Sequence, residues 1–334
     1  MLFDFAAPVS APPLEIEELA IRAEKDGYDG FGAAETRHDV FPALALAARA
    51  TRTITLQSGI AVAFARNPMS VAVLANDLQL ISGGRFQLGL GSQVQAHIER
   101  RFAMPWGRPA ARMQEFVAAI RAIWHSWATG DRLAFRGEFY RHTLMTDFFS
   151  PGPNPHGNPP ILLAAVGERM TATAGRVADG VLSHPLTSMA YLREKTVPAL
   201  RDARGGSLDG FTVGLSALVV LGPDEAARRA AERAVRGQIA FYASTPAYRP
   251  VLELHGWGEL ADRLNGMSRR QAWTEMAAEI GDEVLDTFAV AGDAVAVAAG
   301  LRERFGGVVD RISLYTPYAT DPAQVAGVRA ALVA

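Results

Sequence analysis

The stretch ISGGRFQLGLGSQ, Ile81 to Gln93, decides how the rest of the chain is read. A turn signal at Ser82-Gly83-Gly84 leads into a short apolar strand, Phe86 to Leu90, which leaves through Gly89-Leu90-Gly91-Ser92. That order is expected of a buried parallel strand delivering its C-terminal end to a ligand. A dinucleotide fingerprint, GxGxxG, would need glycine at position 94, where Val94 stands, so the Rossmann reading fails at its third glycine.

Working outward, strand and helix patterns alternate on both sides. Upstream, strands at Leu2 to Ala6, Tyr28 to Ala34 and Ile54 to Ala61 are separated by helical stretches at Leu14 to Lys25, Pro42 to Ala50 and Met69 to Ile81. Downstream come a short helix at Gln95 to Arg101 and a longer one at Arg112 to Trp127, with Phe116, Ile120, Ile123 and Trp127 on one face. Strands at Ile161 to Val166, Gly180 to Ser183, Phe211 to Leu221 and Arg311 to Tyr315 follow, again interleaved with helices. This predicts an α/β fold of the (β/α)8 TIM-barrel type, one domain over residues 1–334, with a doubly wound open sheet as the alternative. Insertions are expected after strands four and seven, at about 129–160, with a strand-like Arg132 to Tyr140, and about 245–280, where the pattern is helical.

With 334 residues and 49% hydrophobic content, the chain can bury a large core. Basic and acidic residues nearly balance at a net charge of −2, which argues against nucleic acid or anionic membrane as partner and for a small-molecule substrate. Cysteine is absent, so disulfides, thiolate metal sites and a cysteine nucleophile are excluded. No apolar run approaches the ~20 residues of a membrane span, and the start carries no export signal, so a cytoplasmic location is expected.

Barrel enzymes place their chemistry just past the C-terminal ends of strands. At such an end, Glu35 and His38 are a carboxylate and an imidazole close together in sequence, suited to general acid or base work, with Asp39 fit to cap the next helix. Ser58-Gly59-Ile60 interrupts a strand where glycine marks a bulge or the close approach of a ligand. Val166-Gly167-Glu168-Arg169 opens a helix whose free N–H groups suit a phosphate. Ser183-His184 closes strand six. The histidines show no metal-ligand spacing, and no metal is expected.

Taken in order, several motifs resemble the luciferase-like monooxygenase superfamily, in its branch using the deazaflavin coenzyme F420. They are Ala33-Ala34-Glu35-Thr36-Arg37-His38, Ser58-Gly59-Ile60 with Asn67-Pro68, Leu80 to Phe86 running into Leu88-Gly89-Leu90-Gly91, and Arg136-Gly137-Glu138-Phe139-Tyr140. Pro159 to Ala165 leading to Ala174-Gly175-Arg176-Val177-Ala178-Asp179-Gly180-Val181 completes the set. The resemblance implies a cofactor ring against strands three and four, backed by a non-prolyl cis peptide at Gly59-Ile60 or one bond earlier. It further implies Gly91, Ser92 and Gln93 beside the ring and its ribityl chain, Ala165, Val166, Gly167 and Glu168 along the ring edge and phosphate, and Glu35 near the cofactor. Relatives acting on sugar phosphates or alcohols carry His and Glu where this chain has Thr36 and Val94, which leaves His38 as a displaced base. Hydride transfer with F420 is the leading expectation. The alternatives are an FMN-dependent monooxygenase fed by a separate reductase and a non-catalytic cofactor-binding barrel. Relatives are commonly homodimers or homotetramers.

Overall fold

Strand pairing runs without a break around a closed ring in the computed structural model, which describes residues 1–333. The barrel strands are β1 (Leu2–Ala6), β2 (Gly30–Ala33), β3 (Thr55–Ser58, resuming at Ala61–Val62), β4 (Phe86–Gly91), β5 (Ile161–Ala165), β6 (Gly180–Ser183), β7 (Thr212–Leu221) and β8 (Arg311–Tyr315). All pair in parallel, and β8 returns to β1 with Leu2 opposite Arg311. This is the (β/α)8 barrel expected from the strand count.

Alternation assigns the two faces of each strand. In β1, Phe3 and Phe5 point out to the helices, where both rings pack on Tyr28. Asp4 points into the barrel and meets Arg311 of β8 in a bidentate ion pair at 2.6 and 2.8 Å, which fastens the closing seam. Burial nonetheless raises the pKa of Asp4, because desolvation outweighs the guanidinium.

A local device sets the entry of three even-numbered strands. Asp29, Asp179 and Asp310 stand immediately before β2, β6 and β8, and each accepts a backbone N–H from the preceding strand, of Phe3, Ile161 and Val213, at 2.8 Å. The strand pairs are thereby registered at their N-terminal ends, leaving the C-terminal ends free to diverge. Helix starts are fixed similarly: Asp39, Asn67, Asp224 and Asp293 accept N–H groups of the first turn, each contributing about 1 kcal/mol.

Three stretches depart from the sequence reading. The strand expected at Arg132 to Tyr140 shrinks to Phe135–Arg136 paired with Arg141–His142. The backbone N–H groups of Glu138, Phe139 and Tyr140 bind the Glu115 carboxylate at 2.6 to 2.8 Å instead of a neighbouring strand. After the helical stretch that follows β7, an unforeseen strand at Ala289–Gly292 pairs with the upper half of β7. A helix at Pro322–Val333, also unforeseen, is tied back by Arg329 Nε donating to Gly27 O at 2.9 Å.

Candidate active site at the barrel mouth

Register between β3 and β4 breaks by one residue. Gln57 pairs with Gln87 and Ala61 with Leu90, so β3 spends four residues where β4 spends three, which makes a bulge at Ser58-Gly59-Ile60. The Gly59–Ile60 peptide is cis. Ser58 replaces the lost ladder bonds: its hydroxyl donates to Gly89 O and accepts from Gly89 N, both at 2.9 Å. On the other side Gly59 N donates to Ala33 O at 2.7 Å, and Ile60 O accepts from Glu35 N at 3.0 Å. Gly89 is glycine because a Cβ there would enter the Ser58 carbonyl, and a Cβ on Gly91 would stand 2.9 Å from Ile60 Cδ1. Beyond Gly91, Gln93 adopts a left-handed backbone, φ 60°, with its own Oε1 accepting from Val94 N at 3.0 Å. Ser92 Oγ donates to Gln93 O at 3.1 Å.

Glu35 turns its carboxylate onto this bulge. Oε2 accepts from Val62 N at 2.8 Å and from Arg66 Nη1 at 2.7 Å, and Arg66 Nη2 reaches Asp39 at 2.6 Å. Burial works against the charge of Arg66, but Glu35 and Asp39 outweigh it and raise its pKa. Asp39 also caps the next helix through Phe41 N at 2.9 Å. Arg66 was not singled out from the sequence; its place just before the Asn67-Pro68 helix start, a few residues past the bulge, was the available signal. His38 is exposed and, past the C-terminal end of β2, lines a space of about 20 Å³ with Ala7, Val9 and Thr36, room for about one water.

The sequence-derived positions on β3, β4 and β5 come together. The hypothetical Gly91 Cβ that meets Ile60 also lies 3.6 Å from Ala164 Cβ, and Ala165 to Glu168 continue from there. Val166 O accepts from Tyr191 OH at 3.2 Å. Gly167 is the N-cap of the Glu168–Val177 helix. Beside that helix opens a cavity of about 1130 Å³, whose lining includes Gly167, Glu168, Arg169, Arg176 and Lys195. At Gly59 and Gly167 a Cβ would meet nothing within 4 Å, so the backbone is open to a flat group at the bulge and to an anion at the helix start. The inward amides of Gln57 and Gln87 and the hydroxyl of Ser183 keep buried atoms without a protein partner. Among the described residues, no group of three or more His, Cys, Asp or Glu side chains is placed to hold a metal ion.

The wall formed by β6 to β8 is aromatic. His184, immediately after β6, stacks on Tyr248 with centroids 4.3 Å apart and meets the edge of Tyr242 at 4.5 Å. Tyr242 OH donates to Tyr315 OH at 2.9 Å, placing the end of β8 in the same cluster. Burial lowers the pKa of His184 to about 3 and raises that of Tyr248 to about 12, so both rings stay uncharged across the physiological range.

The sequence model of the family described as luciferase-like monooxygenase matches residues 3–311. An uncharacterised protein of Mycobacterium tuberculosis is 51% identical over 298 residues, 88% of each chain. The 5,10-methylenetetrahydromethanopterin reductase of Archaeoglobus fulgidus is 30% identical over 289 residues, 83% of this chain and 82% of that one. Among solved structures, the coenzyme F420 dependent tetrahydromethanopterin reductase of Methanopyrus kandleri superposes with a TM-score of 0.79 at 21% identity, covering 98% of this chain and 96% of the other. The protein is thus a member of the luciferase-like monooxygenase family, a TIM barrel whose relatives include F420-dependent oxidoreductases.

Proposed function

We propose that this protein is an F420-dependent oxidoreductase that moves a hydride between the deazaflavin and a small organic substrate held in the barrel mouth. The observation that carries the reading is the β3 bulge: the register break against β4 and an open Gly59, with glycine again at position 91, leave bare backbone at the mouth. The similarity to proteins described as F420-dependent favours the deazaflavin over FMN. When bound, the deazaflavin supplies a hydride donor or acceptor at its C5 carbon.

The chain's own residues divide the remaining work. Ser58, Gly59 and Ile60 support one face of the ring, while Gly91, Ser92 and Gln93 border it. Ala165 and Val166 line the ring edge. Gly167 and Glu168 offer helix-terminal N–H groups to a phosphate, with Arg169 and Lys195 adding positive charge along the adjoining cavity. Glu35, committed to Arg66 and Val62, acts by holding the bulge, so the proton falls to His38, which is exposed beyond the C-terminal end of β2.

Fluorescence titration of the purified protein with F420 and with FMN tests the cofactor. Micromolar F420 affinity is expected; FMN binding with none for F420 would overturn the proposal in favour of a flavin monooxygenase. His38→Ala should lower turnover about 100-fold with cofactor affinity within about twofold. Unchanged turnover removes His38 from the reaction.

A further inference from the structure

The aromatic wall opposite the bulge contains one ring nitrogen whose role nothing above uses. Leu186 N donates to His184 Nδ1 at 3.1 Å, so Nδ1 is the acceptor and the neutral imidazole carries its proton on Nε2. Stacking on Tyr248 at 4.3 Å and the edge contact with Tyr242 hold the ring plane. Among the described residues the one hydrogen bond of the His184 ring is that at Nδ1, so Nε2 has no protein partner, and it is not among the unpartnered polar atoms sealed from solvent. Because Tyr242 donates to Tyr315, the Tyr315 hydroxyl keeps its own proton to offer from the same cluster.

We propose that His184 Nε2–H, with the Tyr315 hydroxyl as second donor, seats an acceptor oxygen of an uncharged, carbonyl-bearing substrate against the β6–β8 wall. The inference rests on the reading of the mouth as a substrate site and names the class of substrate. A hydrocarbon face placed here would leave the Nε2–H unsatisfied, a cost borne by the complex. A carboxylate or phosphate would need a cation, and the rings that form this cluster are neutral. A ketone or enone oxygen meets both demands. It also gains most from these donors if negative charge develops on it, since the donors are fixed before the substrate arrives.

A matched pair of ligands tests this directly: acetophenone and α-methylstyrene, which differ by an oxygen in place of a methylene group. Binding is measured by calorimetry on the protein alone and again with F420 present, alongside nitrogen-15 spectra of histidine-labelled protein. Wild type should prefer the ketone about tenfold, which is about 1.4 kcal/mol. The His184 spectrum should show the Nε2-protonated tautomer, and its Nε2–H resonance should move with the ketone and stay still with the alkene. His184→Phe, which keeps a stacked ring, should bring the preference close to one, and His184→Gln should restore most of it. A preference unchanged in His184→Phe, a proton on Nδ1, or no movement of the resonance with millimolar ketone would overturn the proposal. Since the first arm contains no cofactor, its failure with intact F420 binding strikes this inference alone. Loss of F420 binding with the ketone preference intact strikes only the functional reading.

Discussion

The two walls of the barrel mouth are built from different materials. The wall of β2 to β4 is made of backbone: glycines at 59, 89 and 91, a bulge locked by Ser58, and a buried ion pair that turns its charges inward onto the bulge. The wall of β6 to β8 is made of side chains, with His184, Tyr242, Tyr248 and Tyr315 presenting ring faces and a few polar tips. At Gly89 and Gly91 this wall tolerates little change, because a single added methyl group meets the Ser58 carbonyl or the Ile60 side chain, while at Gly59 the space is open. Side-chain surfaces can be rebuilt residue by residue on the same frame. On the proposed reading, the first wall would carry the cofactor and the second the choice of substrate.

The sharpest way to break this comparison is to add one carbon to the backbone wall. Gly89→Ala places its methyl group on the Ser58 carbonyl, and we expect a loss of about 4 kcal/mol or more, read by chemical denaturation. Gly91→Ala crowds the Ile60 side chain, which can move, and touches Ala164 at an ordinary contact distance, so it should cost about 1 kcal/mol, while weakening F420 binding about tenfold. If Gly91→Ala binds F420 normally, the backbone wall is not the cofactor cradle.

The ion pair comes next in size. Arg66→Met strands the Glu35 carboxylate, whose side chain is 6% exposed, and should destabilise the protein by about 3 kcal/mol. Adding Glu35→Gln to that variant should recover much of the loss, because the uncompensated charge is gone. A double variant no better than Arg66→Met would mean that packing, rather than charge, holds the bulge.

These elements differ in how openly the sequence displayed them. The bulge was legible because glycine inside an apolar strand is a local signal, and the fold was legible because strand and helix periods alternate over nearly the whole chain. Caps such as Asp39 are equally local. Arg66 was hidden because its partner lies 31 residues away, in a different loop, and only barrel closure brings them together. The aromatic wall was hidden for the same reason: Ser183-His184 marked a strand end, but Tyr242, Tyr248 and Tyr315 arrive from two other segments. The strand at Ala289–Gly292 is a short apolar run next to a helix, which periodicity alone does not separate from the helix end.

On the side-chain wall the expected effects are smaller and fall on pH and substrate rather than on the frame. A histidine free in the unfolded chain ionises near 6.5, whereas His184 does so at about 3 in the fold. The unfolded chain therefore takes up a proton that the folded chain refuses, so the His184 contribution to stability is present above about pH 6.5 and is lost as the pH falls towards 3. Stability curves of His184→Phe should fall less steeply than wild type across that window; parallel curves would show that His184 is charged in the fold.

Removing the Tyr315 hydroxyl is the mildest change and the most discriminating. Tyr315→Phe deletes the acceptor of the Tyr242 hydrogen bond and one donor at the mouth while leaving the ring in place. Stability should drop by about 1 kcal/mol, within the range of a single neutral hydrogen bond. If the two walls divide the work as their materials suggest, F420 affinity should stay within about twofold while the preference for a carbonyl ligand falls. Equal losses of cofactor and ligand binding would mean that the walls act as one surface, and that the division between backbone and side chain has no functional counterpart.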